Sequence, residues 1–176
     1  MIVKFKITEQ ARKEADKYAF AIIDKGITNP DHPSGVNGGS IYERYYAGYL
    51  GEWAFNEFLI KNKIKDKVRW DREADGIADK GDFFFGAKVV DVKTASKSYF
   101  TKLMIPLTQF MNSKKDYYVA TRIDGEEITI MGYATGDDMA RAKISDFGIG
   151  ATKYIPFDKL RKMDGLIRQD ILKKWD

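Results

Sequence analysis

Hydrophobic side chains recur at helical spacing in two stretches near the start of the chain. In residues 8–25 they fall every three or four positions, Thr8 is placed to cap the first turn, and Gly26 follows the last turn. In residues 42–61 they recur every four positions. The pattern predicts two amphipathic helices, and the Pro- and Gly-rich residues 29–40 between them predict a long loop.

The middle of the chain contains runs of β-branched and aromatic residues. Residues 82–93, DFFFGAKVVDVK, hold two strand-like runs joined by a Gly-Ala dipeptide. This arrangement predicts a β-hairpin with a type II′ turn. In that hairpin Phe83 pairs with Val90, and Asp82 pairs with Asp91. Directly paired residues share a face of the sheet, so the two aspartates would lie on one face and the valine would point into a core.

Shorter patterns complete the predicted fold. A short strand is expected at residues 68–71, and residues 116–123 and 127–134 form a second hairpin around an Asp-Gly turn. On the second strand of that hairpin, Ile130 is predicted to face one way and Tyr133 the other. The remaining predicted elements are short helices at residues 106–111 and 136–142, an edge segment at residues 154–157, and helical pieces at residues 158–163 and 166–175.

This order of elements predicts an α/β fold, with a mixed central sheet of about five strands flanked by helices. Residues 1–176 would form a single domain. Its core is expected over about residues 43–135, after an N-terminal helix at residues 8–25 and before a C-terminal helical tail at residues 157–175. A chain of 176 residues, 44% of them hydrophobic, is long enough to bury such a core.

Composition narrows the chemistry that the chain can carry. It has no cysteine, which excludes disulfides and thiolate zinc sites, and its single histidine, His32, argues against histidine metal clusters and a Ser-His triad. A metal would be held mainly by oxygen, which favours Mg²⁺, Mn²⁺ or Ca²⁺. The net charge of +4 permits a nucleic-acid partner without requiring one.

The sequence gives no indication of a membrane partner. Residues 1–17 lack the long apolar region of a signal peptide. No run of about 18 apolar residues occurs, so no membrane span is expected. We therefore expect a soluble, intracellular protein of the cytoplasm.

The predicted hairpin places like charges together. Asp82 and Asp91 would repel each other on one face of the sheet, and a divalent cation between them would remove that repulsion. Lys93 lies two residues after Asp91 and shares its face. An ammonium beside a metal ion can orient a water molecule or stabilise charge on a phosphate. These residues therefore indicate metal-assisted hydrolysis of a phosphodiester.

Glu52 lies in the second predicted helix next to two glycines. Gly48 precedes it by one turn and Gly51 directly, and each glycine inside a helix costs about 1 kcal/mol relative to alanine. One explanation is a bare surface that lets a ligand or another backbone approach the Glu52 carboxylate. The other is close packing of the helix on the sheet, with Glu52 only at its edge. The residue pattern favours neither.

With these residues placed, the chain resembles the PD-(D/E)XK nuclease superfamily, which has the restriction-endonuclease-like fold. The signature is an acidic residue at the start of one strand, an acid-x-Lys on the next, and a glutamate from a preceding helix. Here Asp82, Asp91-Val92-Lys93 and Glu52 occupy these positions, and the resemblance covers about residues 43–135. The chain departs from the signature in having glycine rather than proline before the first acid, and aspartate as the second.

The resemblance implies a metal-dependent deoxyribonuclease. Asp82 and Asp91 would bind one or two Mg²⁺ or Mn²⁺ ions, with the backbone carbonyl of Val92 as a further ligand. Glu52 would reach the metal directly or through water. Lys93 would position the attacking water or help to deprotonate it. DNA is then the expected partner, a homodimer is left open, and the phosphate contacts would come from Lys80, Lys97, Lys102 and Lys114.

Two other functions remain to be weighed. The first is a catalytically inactive protein that keeps the nuclease fold and acts as a nucleic-acid-binding or scaffold protein. The second is a Ca²⁺-binding module, but the chain lacks the D-x-D-x-D-G spacing of a calcium loop. Within the nuclease hypothesis, DNA versus RNA, and an endonuclease versus an exonuclease, nicking enzyme or junction resolvase, stay open.

Overall fold

The computed structural model describes residues 2–26, 39–71 and 81–171 of the chain. It confirms both predicted helices, as α1 (Glu9–Asp24) and α2 (Ile41–Lys61). The Thr8 hydroxyl accepts a hydrogen bond from the backbone of Ala11 at 3.1 Å, so this residue caps α1 as predicted. Most of the loop at residues 29–40, including His32, lies outside the described residues, and so does the end of the C-terminal tail after residue 171.

One strand precedes α1, and the other strands alternate with short helices after α2. The short helices predicted from residues 106 and 136 are confirmed. The elements are β1 (Val3–Lys6), β2 (Arg69–Trp70), β3 (Phe83–Phe85), β4 (Lys88–Ala95), β5 (Lys102–Pro106), α3 (Leu107–Asn112), β6 (Tyr117–Asp124), β7 (Glu127–Thr135), α4 (Gly136–Arg141), β8 (Lys143–Asp146) and β9 (Ala151–Pro156).

A six-stranded mixed sheet forms the centre of the domain, in the order β1-β7-β6-β4-β3-β2. Only β4 and β6 run parallel; the other neighbours are antiparallel. A second sheet has the order β5-β9-β8. The predicted α/β domain with a mixed sheet and flanking helices is therefore confirmed.

The central sheet has six strands where about five were predicted, and the second sheet was not predicted. The first strand, at the N-terminus, is only four residues long and was missed because such a run is too short to show a period. The segment at residues 154–157 was predicted to be an edge, but it belongs to the central strand of the second sheet. Its Pro156 is tolerated because it is the last residue of that strand.

The β3–β4 hairpin has the predicted register. Phe83 pairs with Val90, and Gly86 has a φ of 55°, the positive value that the first central residue of a type II′ turn requires. The paired ladder ends at Phe83 and Val90. One residue further, the Asp82 amide donates to the Val90 carbonyl at 3.0 Å, so Asp82 does not continue the ladder opposite Asp91.

A β-bulge in β7 changes which face of the sheet its side chains lie on. Ala120 pairs with Gly132 and Thr121 pairs with Ile130, which leaves Met131 as the extra residue. An extra residue reverses the alternation of side chains beyond it, so Ile130 and Tyr133 both enter the main core. The prediction that they face opposite ways was wrong because the pattern of residue types does not reveal a bulge.

Both faces of the central sheet are covered. On one face, Phe55 and Phe58 of α2 pack with Val90 and Val92 of β4. On the other face lie the second sheet, α3 and α4, whose core includes Leu103, Ile105, Phe110, Tyr118 and Met139. None of the described helices is long and apolar enough to cross a membrane.

The C-terminal tail is less helical than predicted. Its described part contains a 3₁₀ turn at Phe157–Lys159, a helical turn at Met163–Gly165 and a π-helical turn at Leu166–Ile171. Between the first two, Arg161 pairs through its backbone with Tyr133 of β7. The extended backbone at that bridge interrupts the predicted helix over residues 158–163.

The two glycines of α2 have different environments. A Cβ on Gly51 would overlap the hydroxyl oxygens of Thr94 on β4 and Thr121 on β6, so this glycine allows α2 to lie close on the sheet. A Cβ on Gly48 would meet nothing within 4 Å. Close packing on the sheet therefore explains the glycine at position 51, whereas open space surrounds Gly48.

We predict that alanine has opposite effects at these positions. Gly51→Ala should destabilise the protein by about 1–3 kcal/mol because the added methyl overpacks the helix–sheet contact. Gly48→Ala, the matched control, should stabilise it by up to about 1 kcal/mol because alanine is the better helix former. Urea unfolding of the three proteins measures both. Equal effects at the two positions would contradict the packing described here.

Candidate functional site

The candidate site lies where β4 loses its neighbour on one side. On that side the pairing with β3 ends at Val90, whereas β6 pairs with the opposite side of β4 as far as Ala95. Beyond that point the Asp82 carboxylate, rather than a strand carbonyl, accepts the backbone hydrogen bond of β4: its Oδ2 accepts the N–H of Val92 at 2.6 Å. Asp82 is thereby fixed at the open edge of β4.

The Val92 carbonyl faces the same edge. In a β-strand, the N–H and C=O of one residue point towards the same neighbouring strand. Because the Val92 N–H points to Asp82, its carbonyl oxygen lies on the Asp82 side as well. The structure therefore brings a carboxylate and the predicted backbone ligand to one edge.

Asp91 and Lys93 share one face of β4, as predicted. The Lys93 ammonium nitrogen lies 2.9 Å from Asp91 Oδ2. That oxygen is buried, and no donor in the described part of the chain meets it in hydrogen-bonding geometry, so the ammonium contact is purely ionic. The ion pair offsets part of the cost of burying this oxygen, and the hydrogen bond that would offset the rest is not formed. An added cation or donor at this oxygen would remove that cost.

Glu52 approaches the site from α2. Its Oε2 accepts a hydrogen bond from the indole Nε1 of Trp70 at 2.8 Å. Trp70 is itself held by the aromatic core, stacked on Phe83 with 5.4 Å between ring centroids. The indole therefore orients the carboxylate. Nothing in the sequence pattern distinguished Trp70 from an ordinary strand aromatic, and its role was missed.

The carboxylates influence each other electrostatically. Burial, reinforced by the negative charges of Asp82 and Asp91, raises the pKa of Glu52 well above its usual value, against the opposing effects of Trp70 and Lys93. Burial and the Asp91 charge raise the pKa of Asp82 from 3.8 to about 7, although Lys93 and the Val92 N–H act in the other direction. The charges of Glu52, Asp82, Asp91 and Lys93 therefore act on one another in the folded protein.

Part of the Glu52 and Asp82 side chains remains exposed. Their raised pKa values therefore reflect protein packed around the carboxylates rather than full removal from solvent. Accessible carboxylates with raised pKa values and a nearby lysine are typical of functional sites. Ion-pair networks that only support the fold also shift pKa values, so the shift alone does not assign a role.

Two further residues at the site were missed from the sequence. Burial and the charges of Glu52 and Asp82 raise the pKa of Tyr18, which keeps its phenol protonated beside the carboxylates. In the sequence, Tyr18 fits the apolar spacing of α1 and nothing marks it as a site residue. The other is Lys115, which is 6% exposed and whose positive charge favours the ionised form of Asp82. Neither position carries a sequence signal that separates it from core or surface residues.

The ligands of a metal ion are not preassembled. Across the described ranges 2–26, 39–71 and 81–171, no three Asp, Glu or His side chains are grouped in the spacing of a metal cage. Glu52 and Asp82 each use one carboxylate oxygen for a hydrogen bond to Trp70 or Val92. A carboxylate has two oxygens and several lone pairs, so both residues retain capacity to bind a cation.

The three predicted DNA-contacting lysines that the structure describes have different surroundings. Lys97 is exposed just after β4. Lys102 lies over the rings of Phe147 and Tyr154, 5.4 and 6.0 Å from their centroids, so its ammonium is engaged by aromatic faces. Lys114 is half exposed and pairs with Asp137 at 3.1 Å. Lys80 lies outside the described residues.

Comparisons of the chain with models of protein families, with curated proteins and with solved structures give no significant match. Any functional assignment therefore rests on the geometry and electrostatics of the site.

We predict a pH dependence of stability that comes from Asp82. With a pKa of about 7 in the folded protein against 3.8 ordinarily, its stabilising contribution is full below about pH 4 and is lost as the pH rises to about 7. Asp82→Asn keeps an acceptor for Val92 but cannot ionise. In EDTA, the melting temperature of this variant should change less between pH 4 and 7 than that of wild type. At pH 8 it should be several degrees higher than that of wild type.

The control is Asp137→Asn, which removes a carboxylate whose side chain is 76% exposed. It should leave the pH profile of the wild-type protein nearly unchanged. If Asp82→Asn shows the wild-type profile as well, Asp82 does not carry the raised pKa.

Proposed function

We propose that this protein is a divalent-metal-dependent nuclease that hydrolyses phosphodiester bonds of DNA. The observation that carries the proposal is the Asp91–Lys93 ion pair on β4, with Asp82 bound to the Val92 N–H of the same strand and with both aspartate charges acting on Glu52. We also propose a restriction-endonuclease-like core. In its favour, α2 precedes the meander β2-β3-β4, and α3 then leads to β6, which runs parallel to β4.

The donor atoms suit a hard divalent cation. Asp91 Oδ2 is buried and accepts no hydrogen bond from the described residues. Burial and, after it, the mutual repulsion of the carboxylates raise the pKa of Asp82 and of Glu52, and a bound cation would relieve that repulsion. Carboxylate and carbonyl oxygens are the ligands that Mg²⁺ and Mn²⁺ prefer. Asp82, Asp91, Glu52 and the Val92 carbonyl would hold such an ion.

The residues divide the work of hydrolysis among them. A bound Mg²⁺ or Mn²⁺ would supply positive charge that stabilises the transition state at the scissile phosphate. Trp70 fixes the orientation of Glu52, and the Val92 N–H fixes that of Asp82. These hydrogen bonds preorganise the site, so that it does not need to rearrange as charge develops.

Lys93 acts closest to the reacting atoms in this proposal. Its ammonium has three N–H donors and about a quarter of its side chain is exposed, so it can reach a water molecule or a phosphate while it is paired with Asp91. Hydrolysis adds a water oxygen to phosphorus and breaks the bond to one ester oxygen. The ammonium would orient that water and stabilise the negative charge that builds up on the phosphate.

A second candidate is a protein that binds nucleic acid without cutting it. The absence of a preassembled group of three ligands in the described ranges favours it, because a catalytic ion then depends on rearrangement of Glu52 or Asp82. The two functions differ in one observable property, which is turnover with a divalent metal.

We predict that Lys93→Ala separates catalysis from binding. Loss of a group that acts on the transition state costs on the order of 10²–10³ in rate. The variant should cut labelled duplex, single-stranded and branched DNA at least that much more slowly with Mg²⁺ or Mn²⁺. It should still bind DNA within a few-fold of wild type in Ca²⁺, since one charge among several is a small share of affinity.

Lys4→Ala is the control, because Lys4 is an exposed lysine of β1, at the edge of the central sheet away from β2 and β3. It should cut at nearly the wild-type rate. Wild-type protein that binds but never cuts any of these substrates would establish the second candidate. A Lys93→Ala variant as fast as the control would place the active site elsewhere.

A further inference from the structure

A cavity of about 520 Å³ opens where β4 and β6 begin and β7 ends. Basic side chains dominate its wall, and we call it the basic cavity. It is lined by Lys88, Lys114, Lys115, Arg141 and Arg161, together with Asp116 and Asp137, and completed by Tyr117, Thr135 and Gly136. Only Lys114 among these was predicted from the sequence to contact nucleic acid.

The wall of the basic cavity is fixed by a close backbone contact. The Gly136 N–H donates to the Asp116 carbonyl at 2.7 Å. A Cβ on Gly136 would overlap the carbonyl oxygen of Lys115, so a glycine is needed for this approach. The contact ties the residues before β6 to the end of β7, and so holds Lys114 and Lys115 against the cavity.

The two arginines are held from the side by one carboxylate. Arg161 donates to both oxygens of Asp138, from Nε at 2.6 Å and from Nη2 at 3.0 Å. Arg141 Nη2 lies 3.5 Å from the same carboxylate. The Arg161 hydrogen bonds hold the pKa of Asp138 well below its usual range, so this carboxylate stays ionised at neutral pH. Asp138 therefore positions both guanidinium groups on the cavity wall.

Basic side chains outnumber carboxylates at the wall of the basic cavity. Lys88 pairs with Asp116 at 2.6 Å, and Lys114 pairs with Asp137 at 3.1 Å. Five basic side chains thus face three carboxylates, including Asp138. The side chains of Lys114, Arg141 and Arg161 are 49%, 74% and 50% exposed, so an anion that enters the cavity can reach them.

The basic cavity adjoins the candidate active site. Lys88 begins the strand that carries Asp91 and Lys93. Lys115 lines the cavity and also favours the ionised form of Asp82, so its charge acts at both places. A nucleic-acid strand carries a phosphate at every nucleotide, and a strand bound at one place presents neighbouring phosphates to the other.

We propose that the basic cavity binds a phosphate group of a nucleic-acid strand, next to the phosphate that the nuclease would cleave at Asp91 and Lys93. The neighbouring position rests on the proposed nuclease function, whereas phosphate binding in the cavity does not. The phosphate is either an internal diester of the strand or a terminal monoester. Both have the oxygen acceptors that guanidinium and ammonium groups bind.

The test is the affinity for short fluorescent oligonucleotides in EDTA, measured by anisotropy at several salt concentrations. Lys114→Gln with Arg141→Gln removes two exposed positive charges from the cavity. Affinity should fall several-fold, and the slope of log affinity against log salt should decrease in magnitude by about 1 for each phosphate that the protein no longer neutralises. Inorganic phosphate should compete with the oligonucleotide on wild type and compete less on this variant.

The matched control is Lys4→Gln with Lys6→Gln, which removes the same charge from exposed lysines of β1; this strand pairs with the start of β7, whereas the cavity lies at the end of β7. It should bind as wild type does. Equal affinities for the two double variants would overturn the proposal. Circular dichroism and melting temperatures confirm that both variants fold.

Oligonucleotides with a 5′-phosphate, a 3′-phosphate or neither distinguish an internal diester from a terminal monoester as the bound phosphate. A terminal monoester is the occupant if one phosphorylated end binds wild type more tightly and the cavity variant loses that gain. An internal diester is the occupant if the ends make no difference while the cavity variant still binds more weakly.

The binding experiment measures no cleavage. The proposal of a phosphate site in the basic cavity and the nuclease proposal can therefore be refuted independently. Wild type that never cuts leaves the binding result standing. A cavity variant that binds as wild type does removes this inference alone.

Discussion

The hydrogen bond from the Val92 N–H to the Asp82 carboxylate is the interaction on which the site depends. It satisfies a strand amide that β3 is too short to reach, and it does so with a charged side chain rather than with a backbone carbonyl. A carboxylate therefore lies at the edge of β4 beside Val92. Asp91, Lys93 and the Val92 carbonyl reach that place through the ordinary alternation of a strand, and Glu52 reaches it from α2.

This arrangement has an energetic cost that a purely structural site would avoid. Glu52 and Asp82 have raised pKa values, and Asp91 Oδ2 is buried without a hydrogen bond from the described residues. Lys93 offsets part of the repulsion through its ion pair with Asp91. Proteins tend to keep such groups where charge is needed for binding or catalysis. A divalent cation would relieve the repulsion, and the basic cavity would extend the same surface with positive charge.

The parts of the fold governed by local pattern were predictable from the sequence. Helical spacing gave α1 and α2, and the Gly-Ala turn gave the register of Phe83 with Val90. Features set by tertiary contacts were not predictable: the bulge at Met131, the pairing of β1 with β7, and the second sheet. Asp82, Asp91 and Lys93 stood out through spacing and charge. Trp70, Tyr18 and Lys115 did not, because their roles arise only when separate elements meet.

The most direct test of the account is the binding of Mn²⁺ to the protein without DNA, by isothermal titration and by electron paramagnetic resonance. Wild type and Asp137→Asn should both bind the ion. At a free Mn²⁺ concentration a hundred times the dissociation constant, binding should add about 2.7 kcal/mol to the free energy of unfolding and so raise the melting temperature. Asp91→Asn should bind at least tenfold more weakly and lose most of that shift. Equal Mn²⁺ affinity in all three proteins, or none in wild type, would contradict a metal site at the open edge of β4.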